Sequence, residues 1–232
     1  MSEIIVRCLP VESSNNCMSA VSPYVILIVR LFRCILLRMR TDNLYKLPES
    51  ISAPVDDGAC NHLLGLKIPH VLLPSTGNRL VDLAAVSKQR AVVYCYPRTG
   101  TPDEEALGGT DNWNAIPGAR GCTPQSCAFR DHFGELQLLE TQVFGLSSQT
   151  TEYQQEMVRR LHLPFEILSD ADLAFTKAIN LPTFEVTGVV LIKRLTLIIV
   201  DGKIIKFFYP VFPPDKNAED VVSWLKNSRT NY

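Results

Sequence analysis

The apolar positions of this chain fall into short runs parted by turn residues, and their spacing changes character along the sequence. In residues 68–86, IPHVLLPSTGNRLVDLAAV, brief apolar runs flank Ser75-Thr76-Gly77-Asn78, which is turn chemistry and predicts a hairpin. AVVYCYP, residues 91–97, is continuously apolar, as expected of a strand buried on both faces. Phe129, Phe133, Leu136 and Leu139 then recur at three- and four-residue steps, which marks one helix face. QVFGLSS reads as a short strand. Residues 151–162 and 170–180 read as two helical stretches around a strand at 165–168, with Ser169-Asp170 as the second helix start. RLTLIIVDGKIIKFFYPV carries two β-rich segments joined by Asp201-Gly202, a strong hairpin signal, and DKNAEDVVSWLKNS reads as a closing amphipathic helix.

Elements in this order predict an α/β fold of the thioredoxin-like layered kind, a central mixed β-sheet flanked by helices. Such an order does not by itself fix a function. The predicted domain occupies residues 66–228. Before it, residues 47–65, LPESISAPVDDGACNHLLG, are rich in Pro, Gly and Asp without a sustained period and read as an extended lead-in. Residues 1–46 read as an N-terminal extension. Its apolar run at 24–39 is broken by Arg30, Arg33 and Arg38, leaving it short and charged against the roughly 20 apolar residues of a spanning helix. The charge, apolar core and cleavage-site order of a signal peptide is not seen. The favoured reading is a dispensable extension, with Met39 as a candidate true start. A membrane-surface helix and a targeting sequence are the alternatives.

Composition narrows the function classes. With 46% apolar residues, 20% charged residues and a formal net charge of −1, the chain has the balance of a soluble globular protein and no positive excess for nucleic acid. Its 7 cysteines are odd in number and irregularly spaced, which argues for a reducing compartment such as the cytoplasm rather than a secreted disulfide scaffold. In that setting, close cysteines point to catalysis, redox sensing or metal binding. The stretch GARGCTPQSCAFRDH, residues 118–132, holds such a pair.

If a helix begins around Thr123, Cys122 sits at or just before its first turn. Unpaired backbone N–H groups and the positive end of the helix dipole favour a thiolate there. Pro124 agrees, since a first turn loses nothing by a missing N–H. Cys127 would lie in the same helix, its Cα roughly 8 Å away by helix rise and radius. A disulfide needs a separation of about 4.4 to 6.8 Å, so the pair can bond only if the first turn unwinds. Attack on an oxidant by Cys122 would give a sulfenic acid with which Cys127 could condense.

The segments YPRTGTP, GCTPQSCAFRD and KRLTLIIVDGKI together resemble the peroxiredoxins, specifically the Q-type or bacterioferritin-comigratory group, over about residues 66–225. The resemblance implies a thiol-dependent peroxidase that reduces hydrogen peroxide or organic hydroperoxides, with thioredoxin or a similar thiol reductant as partner and no metal or other cofactor. It implies that Cys122 is the peroxidatic cysteine, that Cys127 resolves it as an intrachain disulfide, and that Arg194 holds the thiolate and the peroxide. A permanently charged, forked guanidinium suits that task. The family's proline would be Pro97 and its hydroxyl Thr101. A monomer is favoured, with a dimer as the alternative.

One departure from the family pattern stands out. Residues 103–120, DEEALGGTDNWNAIPGAR, separate Pro102 from Gly121, which are adjacent in the family motif, and Ala119 has no side-chain donor. The expectation is a compact inserted loop with close ends, which lets Pro97 and Thr101 still reach the site. Thr123 or local backbone groups are the alternative donors.

The remaining polar candidates read more plainly. His132 and Arg130 are expected to be solvated or capping, and Cys60 and His62 to belong to a packed lead-in rather than a metal pair. Cys95 reads as an inert buried thiol, Trp113 as an anchor for the insert, and Gln149 as a site-supporting polar group. Two other classes compete with the enzyme: a non-enzymatic thiol redox sensor or binding module on the same fold, and a zinc-binding structural protein. The latter needs more ligands than the cysteine pair and His132 supply.

Overall fold

The computed structural model describes residues 42–228. The apolar run at 24–39, with its readings as extension, surface helix or targeting sequence, lies outside them. Among the described residues no helix is long and apolar enough to cross a membrane.

Continuous apolar character in the strands is what places them at the centre. β3 (Arg90–Cys95) lies in the middle of a five-stranded mixed sheet, parallel to β4 (Thr141–Ser147), which is parallel in turn to β5 (Glu166–Ser169). On its other side β3 runs antiparallel to β8 (Leu195–Val200), and β8 pairs antiparallel with β9 (Lys203–Phe208) through the expected Asp201-Gly202 turn. Alternation along β3 divides its side chains between two cores. Val93 and Cys95 join Leu73, Phe144, Leu168 and Leu197 on one face. Val92, Tyr94 and Tyr96 join Phe129, Met157, Ile167 and Val221 on the other. Gly145 of β4 makes room for this packing, because a Cβ there would sit 2.9 Å from the Tyr94 ring and 2.6 Å from Ile167.

The first hairpin forms as predicted, from β1 (Leu72–Pro74) and β2 (Leu80–Asp82), and leads into the single turn α1 (Leu83–Val86), capped by the Asp82 carboxylate. The helix face predicted around Phe129 and Leu136 is real but split. α3 (Cys122–Asp131) ends at His132, which leaves helical geometry at φ −94° and ψ 5°, and α4 (Phe133–Leu138) begins afresh. Helix α5 (Thr151–Leu161) starts at the Thr150 cap. The next helix, α6 (Ala174–Ala178), is shorter than the expected 170–180. The buried Asp170 carboxylate accepts from the N–H groups of Phe175 and Thr176 at 3.0 and 2.8 Å, and the chain turns through Leu173 at φ 57° before the helix can begin. Helix α7 (Asn217–Ser228) closes the fold as predicted.

One hairpin is absent from the sequence expectations. β6 (Thr183–Val186) and β7 (Val189–Ile192) pair antiparallel around Thr187-Gly188, both at positive φ. This hairpin is where the insert docks. Residues 103–120 contain a short helix, α2 (Thr110–Ala115), and bury Ala106, Trp113 and Ala119 against Val186 and Leu191 in a third, smaller apolar cluster.

The lead-in is attached more firmly than its composition suggests. Cys60 and Leu63 are fully buried in the core that contains β3's Val93, ahead of the expected domain start at residue 66. Gly65 N–H donates to Ile204 O at 2.8 Å and Ile204 N–H to Leu66 O at 2.9 Å, so the lead-in covers the edge of β9. His62 Nε2 lies 3.1 Å from the Ile179 carbonyl and is a packing contact rather than half of a metal pair.

Removing the insert's anchor tests this arrangement. Trp113→Ala leaves a cavity between α2 and the β6–β7 hairpin, and is expected to lower unfolding free energy by about 3 kcal/mol, at the lower end of large aromatic deletions because a loop can partly collapse. Urea denaturation measures it; an unchanged midpoint would show that the insert does not contribute to the fold.

Candidate active site

Cys122 opens helix α3, as its spacing predicted. Gly121 precedes it at φ 105°, in the left-handed region, and a Cβ at Gly121 would collide with Pro214 and approach Leu47 to 2.8 Å. Glycine is therefore required immediately before the cysteine. The helix lies close on the sheet because the Tyr94 and Phe129 rings stack with centroids 4.4 Å apart, while Tyr94 Oη bonds Ser126 Oγ at 3.1 Å. Cys122 is consequently 3% exposed, with its sulfur 3.6 Å from the Ala119 carbonyl.

Arg194 reaches this sulfur from the sheet. It immediately precedes β8 rather than lying within a strand, and period-two alternation sets it on the same face as Thr196 and Ile198, toward α3. Its Nη2 donates to Cys122 Sγ at 3.1 Å and to the carbonyl oxygens of Ala119 and Arg120, each at 3.1 Å, while Nη1 donates to Gln125 Oε1. The side chain is 3% exposed, and among the described residues no carboxylate pairs with it. A buried cation needs compensation, and of these contacts only the sulfur can carry a negative charge.

Gln125 links that guanidinium to the rest of the core. Its Nε2 donates to Asn217 Oδ1 at 2.9 Å, and Thr196 Oγ1 donates to the same oxygen at 2.6 Å. All three are buried, so α3, β8 and the start of α7 hold the orientation of Arg194 together. The sequence reading missed this relay. Gln125 stands three residues after Cys122, one turn along the same helix face, and that spacing was the available signal.

Cys127 lies on α3 as expected, half-buried, and is a free thiol like Cys122. Burial pushes its thiol above the ordinary value; Arg130 works against burial, Asp131 with it, and Arg160 against it. Arg130 is tied to Asp131 and to the Leu161 carbonyl, and His132 to Glu135, so both serve local structure. Cys95 is wholly buried and its thiol is pushed up by that burial; Cys60 is pushed up to about 12 by the same cause.

Thr99 lines the cavity at Cys122. Gln149 Oε1 accepts from both the N–H and hydroxyl of Thr99 at 2.9 and 3.1 Å, and its Nε2 donates to the Thr99 carbonyl at 3.2 Å. Arg160 meanwhile bonds the Gly100 carbonyl at 3.0 Å. These contacts fix Thr99 and Gly100 in the cavity wall, while the Thr101 hydroxyl meets Tyr153, another residue of that wall. Gln149 thus holds the Thr99 segment of the cavity wall. Trp113 lines the same cavity as well as anchoring the insert. No group of three or more His, Cys, Asp or Glu able to hold a metal occurs among the described residues.

A thioredoxin-like layered sheet carrying a buried thiol at a helix start, beneath a guanidinium with no carboxylate partner, defines a class of thiol-redox protein. Residues 63–222 match the Redoxin family, and the chain belongs to it as a peroxiredoxin of the Bcp/Q type, a thiol peroxidase. It is 28% identical over 162 residues to peroxiredoxin Bcp of Escherichia coli strain K12, spanning 68% of this chain and 92% of that protein. It is 26% identical over 164 residues to the chloroplastic peroxiredoxin Q of Oryza sativa subsp. japonica, spanning 70% of this chain and 66% of that one. The fold matches the crystal structure of peroxidoxin BcpB from Mycobacterium tuberculosis with a TM-score of 0.57 at 20% identity, over 71% of this chain and 96% of that one.

Gln125 can be tested by substitution in both directions. Gln125→Ala leaves the buried guanidinium short of an acceptor and is expected to cost about 1–3 kcal/mol of stability. Gln125→Glu supplies a competing anion to Arg194, so the fold is retained while Cys122 alkylation by iodoacetamide slows at least about tenfold. Mass spectrometry of timed samples follows Cys122 directly; equal rates in the natural chain and Gln125→Glu would contradict the relay.

Proposed function

We propose that Cys122 is the peroxidatic nucleophile of this enzyme, that Arg194 stabilises its charged sulfur and the developing oxygen anion, and that Cys127 resolves the product. The observation that carries this reading is the 3.1 Å contact between the Arg194 guanidinium and the Cys122 sulfur. In the first step the thiolate attacks one peroxide oxygen. A sulfur–oxygen bond forms, the oxygen–oxygen bond breaks, and the leaving oxygen takes a proton to depart as water or an alcohol. Cys122 is then a sulfenic acid. The Cys127 thiolate attacks that sulfur, a disulfide forms, and hydroxide leaves to become water. Two electrons from an external dithiol reductant return both thiols, and thioredoxin is the reductant that family membership favours.

The substrate is a hydroperoxide. Alkyl peroxide reduction is an activity of the structurally similar bacterioferritin comigratory protein of Xanthomonas campestris, which supports this substrate class. The enzyme acts as a monomer in a reducing compartment such as the cytoplasm, and its chemistry resides in sulfur. The N–H groups of the first turn of α3 are the donors offered to the bound peroxide, and Thr99, whose N–H and hydroxyl are both given to Gln149, shapes the wall beside them.

Peroxide consumption coupled to thioredoxin and its reductase tests the roles. Cys122→Ser is expected to abolish turnover, and Cys127→Ser to stop after a single oxidation. A natural chain that forms the disulfide once but does not turn over would favour a redox sensor. The pH dependence supplies a second check on Cys127. Because its thiol is raised and the thiolate is the attacking form, disulfide formation after a peroxide pulse is expected to accelerate about tenfold per pH unit through neutrality, levelling only above the ordinary thiol range. A resolution rate independent of pH between neutrality and that range would remove Cys127 from the role.

A further inference from the structure

The space above Cys122 is walled by chain that precedes it by more than seventy positions. Leu44 is buried and lines this cavity together with Thr99, Leu107, Trp113 and Tyr153. Its backbone is fixed from below by Arg120, two residues before the nucleophile. The Arg120 side chain is 5% exposed, pairs with Asp42, and donates to the carbonyl oxygens of Asn43 and Lys46. Tyr45, next along, meets the Arg160 guanidinium, which itself holds Gly100 in the cavity wall. Residues 42–47 are thus a strap seated by buried charge. They span the expected boundary between an N-terminal extension, 1–46, and the extended lead-in that follows it.

The strap leaves little room. The space open to the centre of a water-sized sphere is about 20 Å³, where a single water needs roughly 10–15 Å³. A peroxide of two oxygens fits such a volume. A substrate bearing a branched or aromatic carbon skeleton on one oxygen exceeds that volume, and Leu44 is the apolar wall residue that residues 42–47 supply.

Resting on Cys122 as the peroxidatic thiol, we propose that the strap is a specificity element: Leu44, seated by the Arg120–Asp42 pair, restricts the site to substrates the size of hydrogen peroxide, and bulky hydroperoxides react only when the strap lifts. Arg120 then couples substrate size to the nucleophile's own loop, because it anchors the strap from the segment that carries Gly121 and Cys122.

The measurement is kcat/KM for hydrogen peroxide and for cumene hydroperoxide, in the full chain and in Leu44→Ala and Asp42→Asn. The ratio of the two substrates is the readout, since it is insensitive to a loss of folded protein. The natural chain is expected to favour hydrogen peroxide. Leu44→Ala is expected to raise the cumene-to-hydrogen-peroxide ratio at least tenfold, and Asp42→Asn to raise it in the same direction by a smaller factor. Ratios within twofold of the natural chain in both variants, or a natural chain that takes both substrates equally, would overturn the strap's role while leaving the peroxidase reading intact. No consumption of either peroxide by the natural chain would instead overturn the reading of Cys122, and the inference with it.

Discussion

A guanidinium taken out of water loses several kcal/mol of hydration, and for Arg194 this is offset in part by two carbonyl oxygens, one amide oxygen and one sulfur, with no carboxylate among them. Everything around the site answers to that arrangement. The carbonyls of Ala119 and Arg120 must face inward, so the chain before Cys122 cannot be helical, and the turn into α3 passes through a glycine at φ 105°. The amide oxygen must come from α3 itself, which fixes the rotation of that helix about its axis. The sulfur completes the set of partners.

The sheet supplies the geometry for this. Because β3 is central and both its faces are buried, its end and that of neighbouring β8 are held rigidly, and Arg194 projects from the start of β8 beside the end of β3, where Cys95 pairs with Leu195. The loop leaving β3 carries Thr99 and Gly100 to the same place, where Gln149 and Arg160 fasten them. Groups from opposite ends of the sequence meet where strands end. That is the usual place for a site in an open α/β sheet.

Much of this was legible in the sequence, for identifiable reasons. Cys122 at a helix start, the β8–β9 hairpin and the two-faced burial of β3 follow from local signals: proline in a first turn, Asp-Gly between β-rich runs, and unbroken apolar character. What was not legible depended on contacts between distant segments. Thr187 is a poor indicator of a left-handed turn, so the β6–β7 hairpin was missed, and without it nothing showed what the insert's Trp113 would pack against. Thr101 looked like the active-site hydroxyl by motif position. The side chain that holds Thr99 in the cavity wall, Gln149, comes from the connection between β4 and α5. The α3–α4 break at His132 likewise interrupts an apolar period that continues straight through it.

Gln125 and Ser126 lie between the two thiols on α3, and each is bonded into a different part of the core, Gln125 to Arg194 and Asn217 and Ser126 to Tyr94. A bond between Cys122 and Cys127 requires that turn of helix to come apart, so it cannot coexist with the grip of Gln125 on the guanidinium. If the proposed disulfide forms, the guanidinium loses the Gln125 contact that orients it. In the cycle proposed above, the turn of helix between the two thiols would then unwind on oxidation and rewind on reduction, and the grip on Arg194 would follow it.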